Sequence, residues 1–179
     1  MNKSSLLFNV FLASALLITS CGAGLQRVDT SLAEVKPTII TEPVQFDSDD
    51  PAIWINPQNP AKSLIIGTDK NEQGALYVFD LDGKIIQNKV VRNLKRPNNV
   101  DLIYGLMLHG KPTDIAVTTE RMTHKLRMFS LPDMKPVDNG GLEVFSGETG
   151  PEYRDLMGIA IYTAKNGNKY AVVGRKNGP

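Results

Sequence analysis

The sequence predicts an all-β chain on three observations. Short runs of β-branched, aliphatic and aromatic residues recur between turn clusters, no stretch keeps an apolar helical period for three turns, and the runs repeat at a long interval. The runs cover 52–55, 64–68, 75–81, 84–91, 100–104, 114–119, 126–131, 158–162 and 170–173. The clusters between them are rich in residues that favour turns: Asn56-Pro57-Gln58-Asn59-Pro60, Asp82-Gly83, Pro132-Asp133, Asn139-Gly140-Gly141 and Asn166-Gly167-Asn168.

The repeat narrows the fold class. A shift of 50 positions lays Ile65 on Ile115, Thr68 on Thr118, Leu76 on Leu126, Phe79 on Phe129 and Leu81 on Leu131. A shift of 106 lays Ile53 on Ile159, Ile55 on Ile161, Ile66 on Val172 and Lys70 on Lys176. Units of about 50 residues with about four short strands have the size of propeller blades, whereas the strands of a sandwich, the alternative, need no such self-similarity. On the propeller reading the chain holds two blades and the start of a third. An open arc leaves apolar faces and strand edges in water, so residues 44–179 alone are expected to fold poorly and to belong to a longer protein.

Residues 1–20 carry one charge, Lys3, and an apolar run from Leu6 to Ile18 that is short for a membrane span and suits a secretory signal. The run ends in Ile18-Thr19-Ser20-Cys21, an arrangement resembling a lipobox, with cleavage before Cys21 and acylation of its sulfur; an ordinary signal cut elsewhere is the alternative. The expected product is exported and lipid-anchored through Cys21 to a bacterial membrane, facing the periplasm or the cell surface, with 21–43 as a tether that gains a strand near 37–40. Without Lys3, 19 basic side chains face 19 acidic ones, so no bulk field draws in nucleic acid, and no protein partner is inferred. Cys21 is the single cysteine, which excludes disulfides, thiolate zinc sites and thiol nucleophiles from the rest of the chain.

Two groups of polar residues carry the candidate chemistry. Asp47-Ser48-Asp49-Asp50-Pro51-Ala52 places three carboxylates at the start of a strand, fit either for a solvated turn or for a hard cation such as calcium or magnesium. Asn98-Asn99-Val100-Asp101 stands at the corresponding place one unit later. Basic residues close the second strand of each unit: Lys70, Arg121 and Arg175-Lys176. Singly these are ordinary surface charges. In a propeller, equivalent strand ends share one face, so the recurring cations would converge on a polyanion such as phosphate. The sequence lacks an Arg-His-Gly motif, a Gly-x-Ser-x-Gly elbow and a phosphate-cradling loop, which leaves metal-activated water as the route to hydrolysis.

Taken together, Asp49-Asp50-Pro51-Ala52-Ile53-Trp54, Gly67-Thr68-Asp69-Lys70, the stretch from Tyr77 to Lys84, Asn98-Asn99-Val100-Asp101, Thr113-Asp114-Ile115-Ala116 with Arg121, and Gly158-Ile159-Ala160-Ile161-Tyr162 resemble the β-propeller phytases in order and spacing. The resemblance covers about residues 44–179 and implies part of a six-bladed propeller, of which this chain would hold about two to three blades. It further implies a phosphomonoesterase acting on phytate, inositol hexakisphosphate, with several calcium ions at the top of the channel. Carried over by position, Asp49, Asp50, Asn99, Val100 and Asp101 would hold calcium, partly through main-chain oxygen, and Lys70, Arg121 and Lys176 would bind substrate phosphates. Met157 stands where many members have a tyrosine, and Pro179 near where a glutamate often follows. The competing function is a non-catalytic surface propeller lipoprotein that binds a phosphorylated or glycan ligand.

Overall fold

The computed structural model describes residues 35–178. The N-terminal run read as a signal, Cys21 and Pro179 lie outside the described residues. Eleven strands form three antiparallel sheets in chain order. The first is β1 (Ser48–Trp54), β2 (Leu64–Asp69), β3 (Gly74–Phe79) and β4 (Val91–Leu94), each paired to the next. The second runs β5 (Pro97–Leu108), β6 (Lys111–Glu120), β7 (Lys125–Ser130) and β8 (Lys135–Pro136), with β9 (Leu142–Glu143) also on β7. The third is the hairpin β10 (Leu156–Thr163) and β11 (Lys169–Arg175). Three 3₁₀ turns complete the described secondary structure, so the all-β expectation holds.

Two seams between the sheets hold most of the core. Ala52, Trp54, Ile66, Leu76 and Val78 of the first sheet meet Val100, Ala116, Phe129 and Leu131 of the second. Ile103, Ile115, Val117 and Leu126 of the second meet Leu156, Ile159, Ile161 and Val173 around the third. Each sheet therefore uses alternate residues of its strands against the previous sheet and the rest against the next. That is how blades stack, because a strand's side chains alternate between its two faces. The first sheet's other face packs Tyr77 and Phe79 with Val44, Ile65, Ile85 and Val90.

The pairing registers correct the sequence repeat. In each blade three residues of the first strand span two of the second: Ser48 and Pro51 lie opposite Asp69 and Gly67, Pro97 and Val100 opposite Glu120 and Thr118, and Leu156 and Ile159 opposite Arg175 and Val173. These are β-bulges, the place where Pro51 is tolerated within a strand. Equivalent first strands are offset by 49 and then 59 positions, and second strands by 51 and then 55. The third strands do superpose at 50, so Leu76 matches Leu126 and Phe79 matches Phe129 as expected. In the second strands the single shift of 50 is one residue out, and Thr68 matches Thr119 rather than Thr118. The shift of 106 holds for Ile66 and Lys70, but Ile53 matches Ile161, because the third blade's hairpin is shorter.

Two local expectations also change. The run 84–91 forms a single bridge, Ile85 to Phe79, and a 3₁₀ turn, and β4 begins only at Val91. Its apolar residues are there to pack, with Ile86 on the first seam and Ile85 and Val90 on the opposite face. Residues 37–40 form no strand, yet the segment after them is docked on the first blade. Glu42 donates its N–H to Gly83 O at 2.8 Å and accepts the Ile85 N–H at 2.8 Å, a bond that holds its carboxyl below the usual range. Gly83, at φ 77°, leaves room for this strap, since a Cβ there would come within 2.9 Å of Ile40 O.

Candidate functional site

The bulges bring the predicted residues to one end of each sheet. Asp49, Asn98 and Met157 occupy equivalent bulge positions, as do Asp50, Asn99 and Gly158. Opposite them, just past the second strands, Lys70, Arg121 and Lys176 are equivalent by the same main-chain bond: each donates its N–H to the carbonyl of the residue immediately before its blade's first strand, Lys70 to Asp47 O at 2.7 Å, Arg121 to Arg96 O at 3.1 Å and Lys176 to Asp155 O at 2.9 Å. The registers put these three cations at the same end of successive sheets.

Their side chains differ. Lys70 Nζ lies 2.7 Å from Asp49 Oδ1 and 3.8 Å from Asp47. Lys176 pairs with Glu152. Arg121 is buried at 8% exposure and meets only neutral groups: Nε donates to Leu156 O at 3.1 Å, and Nη2 donates to Asn98 Oδ1 at 2.5 Å and lies against the Met157 sulfur. Burial, and after it the charge of Arg96, lowers the Arg121 pKa from its ordinary value, with Asp155, Asp49 and Glu152 acting the other way.

The proposed metal-side residues also tie the blades together. Asp50 Oδ2 accepts the Val100 N–H at 2.9 Å across the first seam. Asp101 Oδ2 accepts the Ile161 N–H at 2.6 Å across the second, while its Oδ1 takes the Leu102 N–H at 2.7 Å. Asn99 Oδ1 accepts from Asn98 Nδ2 at 2.6 Å, and Asn99 O accepts the Thr118 hydroxyl at 2.8 Å. Asp49 and Asp50 line a cavity of about 290 Å³ with Val44, Ile65 and Phe79. A larger cavity of about 500 Å³, beside Trp54, Lys111 and Asp114, lies at the opposite end of β1 and β6.

The oxygen-only chemistry of Asp49 and Asp50 suits calcium, which takes six to eight oxygen ligands. Among the described residues no three His, Cys, Asp or Glu side chains converge on one point. Asp101 fits least well, since both of its oxygens already accept main-chain N–H groups. Asp101→Ala is expected to cost about 1–3 kcal/mol by stranding the Ile161 donor, and Asp101→Asn less, because its amide oxygen can still accept. Urea unfolding of both variants reads this. An unshifted midpoint for Asp101→Ala would remove the blade-tying role.

Sequence reasoning missed two buried acids that hold up the site. Asp69 accepts the Phe46 and Asp47 N–H groups at 3.2 and 2.7 Å, and Glu120, its counterpart, accepts the Lys95 N–H at 2.7 Å. An acid directly before each cation, Asp69-Lys70 and Glu120-Arg121, was the available signal. The third blade breaks it with Arg175, which pairs with Glu148 at 2.9 Å and lies over the Phe145 and Tyr153 rings. Hydroxyls repeat as well: Thr68 accepts the Asp50 N–H and donates to Asn98 O, and Thr119 accepts the Asn99 N–H and donates to Met157 O. Trp54 is buried with Nε1 donating to Asp114 at 2.8 Å, whereas Tyr104 is 41% exposed.

Stacked antiparallel sheets, each with a basic residue just past its second strand, are the architecture of β-propeller blades. The Phytase family model matches residues 4–179, and the chain belongs to the phytase family. It is 34% identical over 137 residues to the 3-phytase of Bacillus subtilis (strain 168), an alignment covering 73% of this chain and 34% of that protein. The chain thus spans about a third of the length of the curated relative it matches.

Proposed function

We propose that the protein is a calcium-dependent phosphomonoesterase acting on inositol hexakisphosphate, and that this chain supplies part of its phosphate grip. The carrying observation is the triple of Lys70, Arg121 and Lys176, each fixed by the same main-chain bond at the same end of successive blades. Family membership and the resemblance to a 3-phytase support the substrate class. Arg121 presents a fixed planar donor set to phosphate oxygens, and Lys70 and Lys176 add point charges that offset the charge developing on a transferred phosphoryl group. Asp49 and Asp50, with Asn99 and the Val100 main chain, are the residues here that would hold calcium; Asp101 would first have to release the Ile161 N–H. Calcium, when bound, supplies positive charge and orients water for hydrolysis. Asp49 serves both sides of the site, because its carboxylate already holds Lys70. The lipobox-like run before Cys21 supports export and lipid anchoring.

Removal of calcium by chelation should abolish phosphate release from inositol hexakisphosphate, and added calcium should restore it. Asp50→Asn should weaken calcium binding, read by calorimetry, since a metal bound to the folded state contributes to stability through its ligands. Undiminished release in chelator would defeat the calcium reading, and no release from the complete protein with or without calcium would leave the non-catalytic binder ahead.

A further inference from the structure

Arg96 stands out when the three blades are compared position by position. Asp47, Arg96 and Asp155 are equivalent, each offering its carbonyl to the N–H of its blade's cation. In the first blade the acid at this place lies 3.8 Å from Lys70, and in the third an acid occupies it as well. The second blade reverses the sign: the arginine at this place bonds Arg121 through its main chain, and its charge acts on the Arg121 guanidinium. Among the described residues neither Arg96 nor Arg121 forms an ion pair, whereas Lys70 and Lys176 both do. Arg96 Nε is buried and has no hydrogen-bond partner.

The backbone of Arg96 is specified as well. Its φ is 60°, its N–H donates to Asn71 O at 2.8 Å, and its carbonyl accepts from Arg121. Gly74 keeps this junction close: a Cβ there would come within 2.2 Å of Asp69 O and 2.7 Å of Pro97 Cδ. A left-handed conformation at a residue with a long side chain, and an orphaned buried donor next to a second unpaired arginine, both carry a cost that the protein alone does not offset. A dianion between the two side chains would give the orphaned donor a partner and offset the like charges.

We propose that Arg96 and Arg121 form a two-arginine subsite that grips a single phosphate group, with Arg96 a phosphate-binding residue in its own right. This rests on the phosphate reading given above. Paired guanidiniums match a phosphate better than a lone one, since each can present two parallel donors to two oxygens. The subsite would accept a phosphate monoester or inorganic phosphate.

Calorimetric titration of the complete protein with inositol hexakisphosphate and with inorganic phosphate tests this, using Arg96→Asn, Arg121→Gln and the double variant. Asparagine tolerates the left-handed backbone, so Arg96→Asn removes the guanidinium without straining the turn. Each single change should weaken binding of either probe by about 10- to 150-fold, the range for losing a charged hydrogen bond. The double variant should lose clearly less than the product of the two, because both groups serve one phosphate. Arg96→Lys, which keeps charge but not the fork, should fall between wild type and Arg96→Asn, and it carries the test should Arg96→Asn unfold. Weaker binding for Arg121→Gln with none for the Arg96 variants would overturn the subsite and leave the phosphate reading standing. Losses that simply multiply would overturn the sharing of one phosphate. Failure of the unmodified protein to bind either probe would remove the phosphate reading and the subsite with it.

Discussion

Replacing Phe129 with alanine is expected to destabilise the fold by about 3–5 kcal/mol, among the largest effects of any single change here. Phe129 is 1% exposed on β7 and packs across the first seam against the group that includes Trp54, Ile66 and Val78. Its loss leaves a cavity between two stacked sheets, where neither blade can close the gap without shifting its own strands. It also removes the ring beneath Arg127, whose guanidinium lies 5.5 Å from the ring centre and is fixed by Asp138 at 2.7 Å. Burial alone would raise the Asp138 pKa, but Arg127 and the Met128 and Gly140 N–H groups outweigh it and lower it, so that pair stays charged. Phe129→Leu should cost less, and Ile53→Ala, at a residue 57% exposed, should stay within about 0.5 kcal/mol. Urea midpoints for the three variants give the comparison. Equal costs for Phe129→Ala and Ile53→Ala would mean that the seam does not hold the sheets together.

The sequence was informative about this seam because strand patterning and turn chemistry are local. Leu76 and Leu126, and Phe79 and Phe129, could be matched at a shift of 50, and each pair faces the equivalent side of its blade. Bulges and hairpin lengths were not legible. The first strands are offset by 49 and the second by 51, so a single shift of 50 falls between them and mismatches Thr68. A slip of one residue turns a strand's side chains to the wrong face, which is why the repeat could locate blades without fixing their registers.

The site was half legible for a related reason. Lys70, Arg121 and Lys176 follow strand ends, a feature visible in one dimension. The work of Asp50 and Asp101 is not, since their partners, Val100 and Ile161, lie 50 and 60 residues away on the next blade. Arg96 was hidden too. Only the bulge registers show that it stands where the other two blades carry Asp47 and Asp155.

For Arg121→Ala in the complete enzyme, phosphate release from inositol hexakisphosphate is expected to fall by about 2–4 kcal/mol in kcat/KM, the scale of a lost donor to a developing oxyanion. Calcium affinity should hold, because none of the Arg121 hydrogen bonds goes to Asp49 or Asp50. The structure adds a second consequence. Arg121 Nε donates to Leu156 O on the third blade and Nη2 to Asn98 on the second, so the same change should also lower stability, by about 1–3 kcal/mol. Arg121→Lys separates the two effects. A lysine keeps the positive charge but cannot reproduce the planar fork that reaches both oxygens, so its kinetic loss should be partial, whereas its stability loss should approach that of alanine. Kinetics and urea unfolding on both variants, beside calcium calorimetry, read the three quantities independently. Unchanged kcat/KM in Arg121→Ala with only its stability reduced would make this arginine a strut between blades and take it out of the phosphate grip.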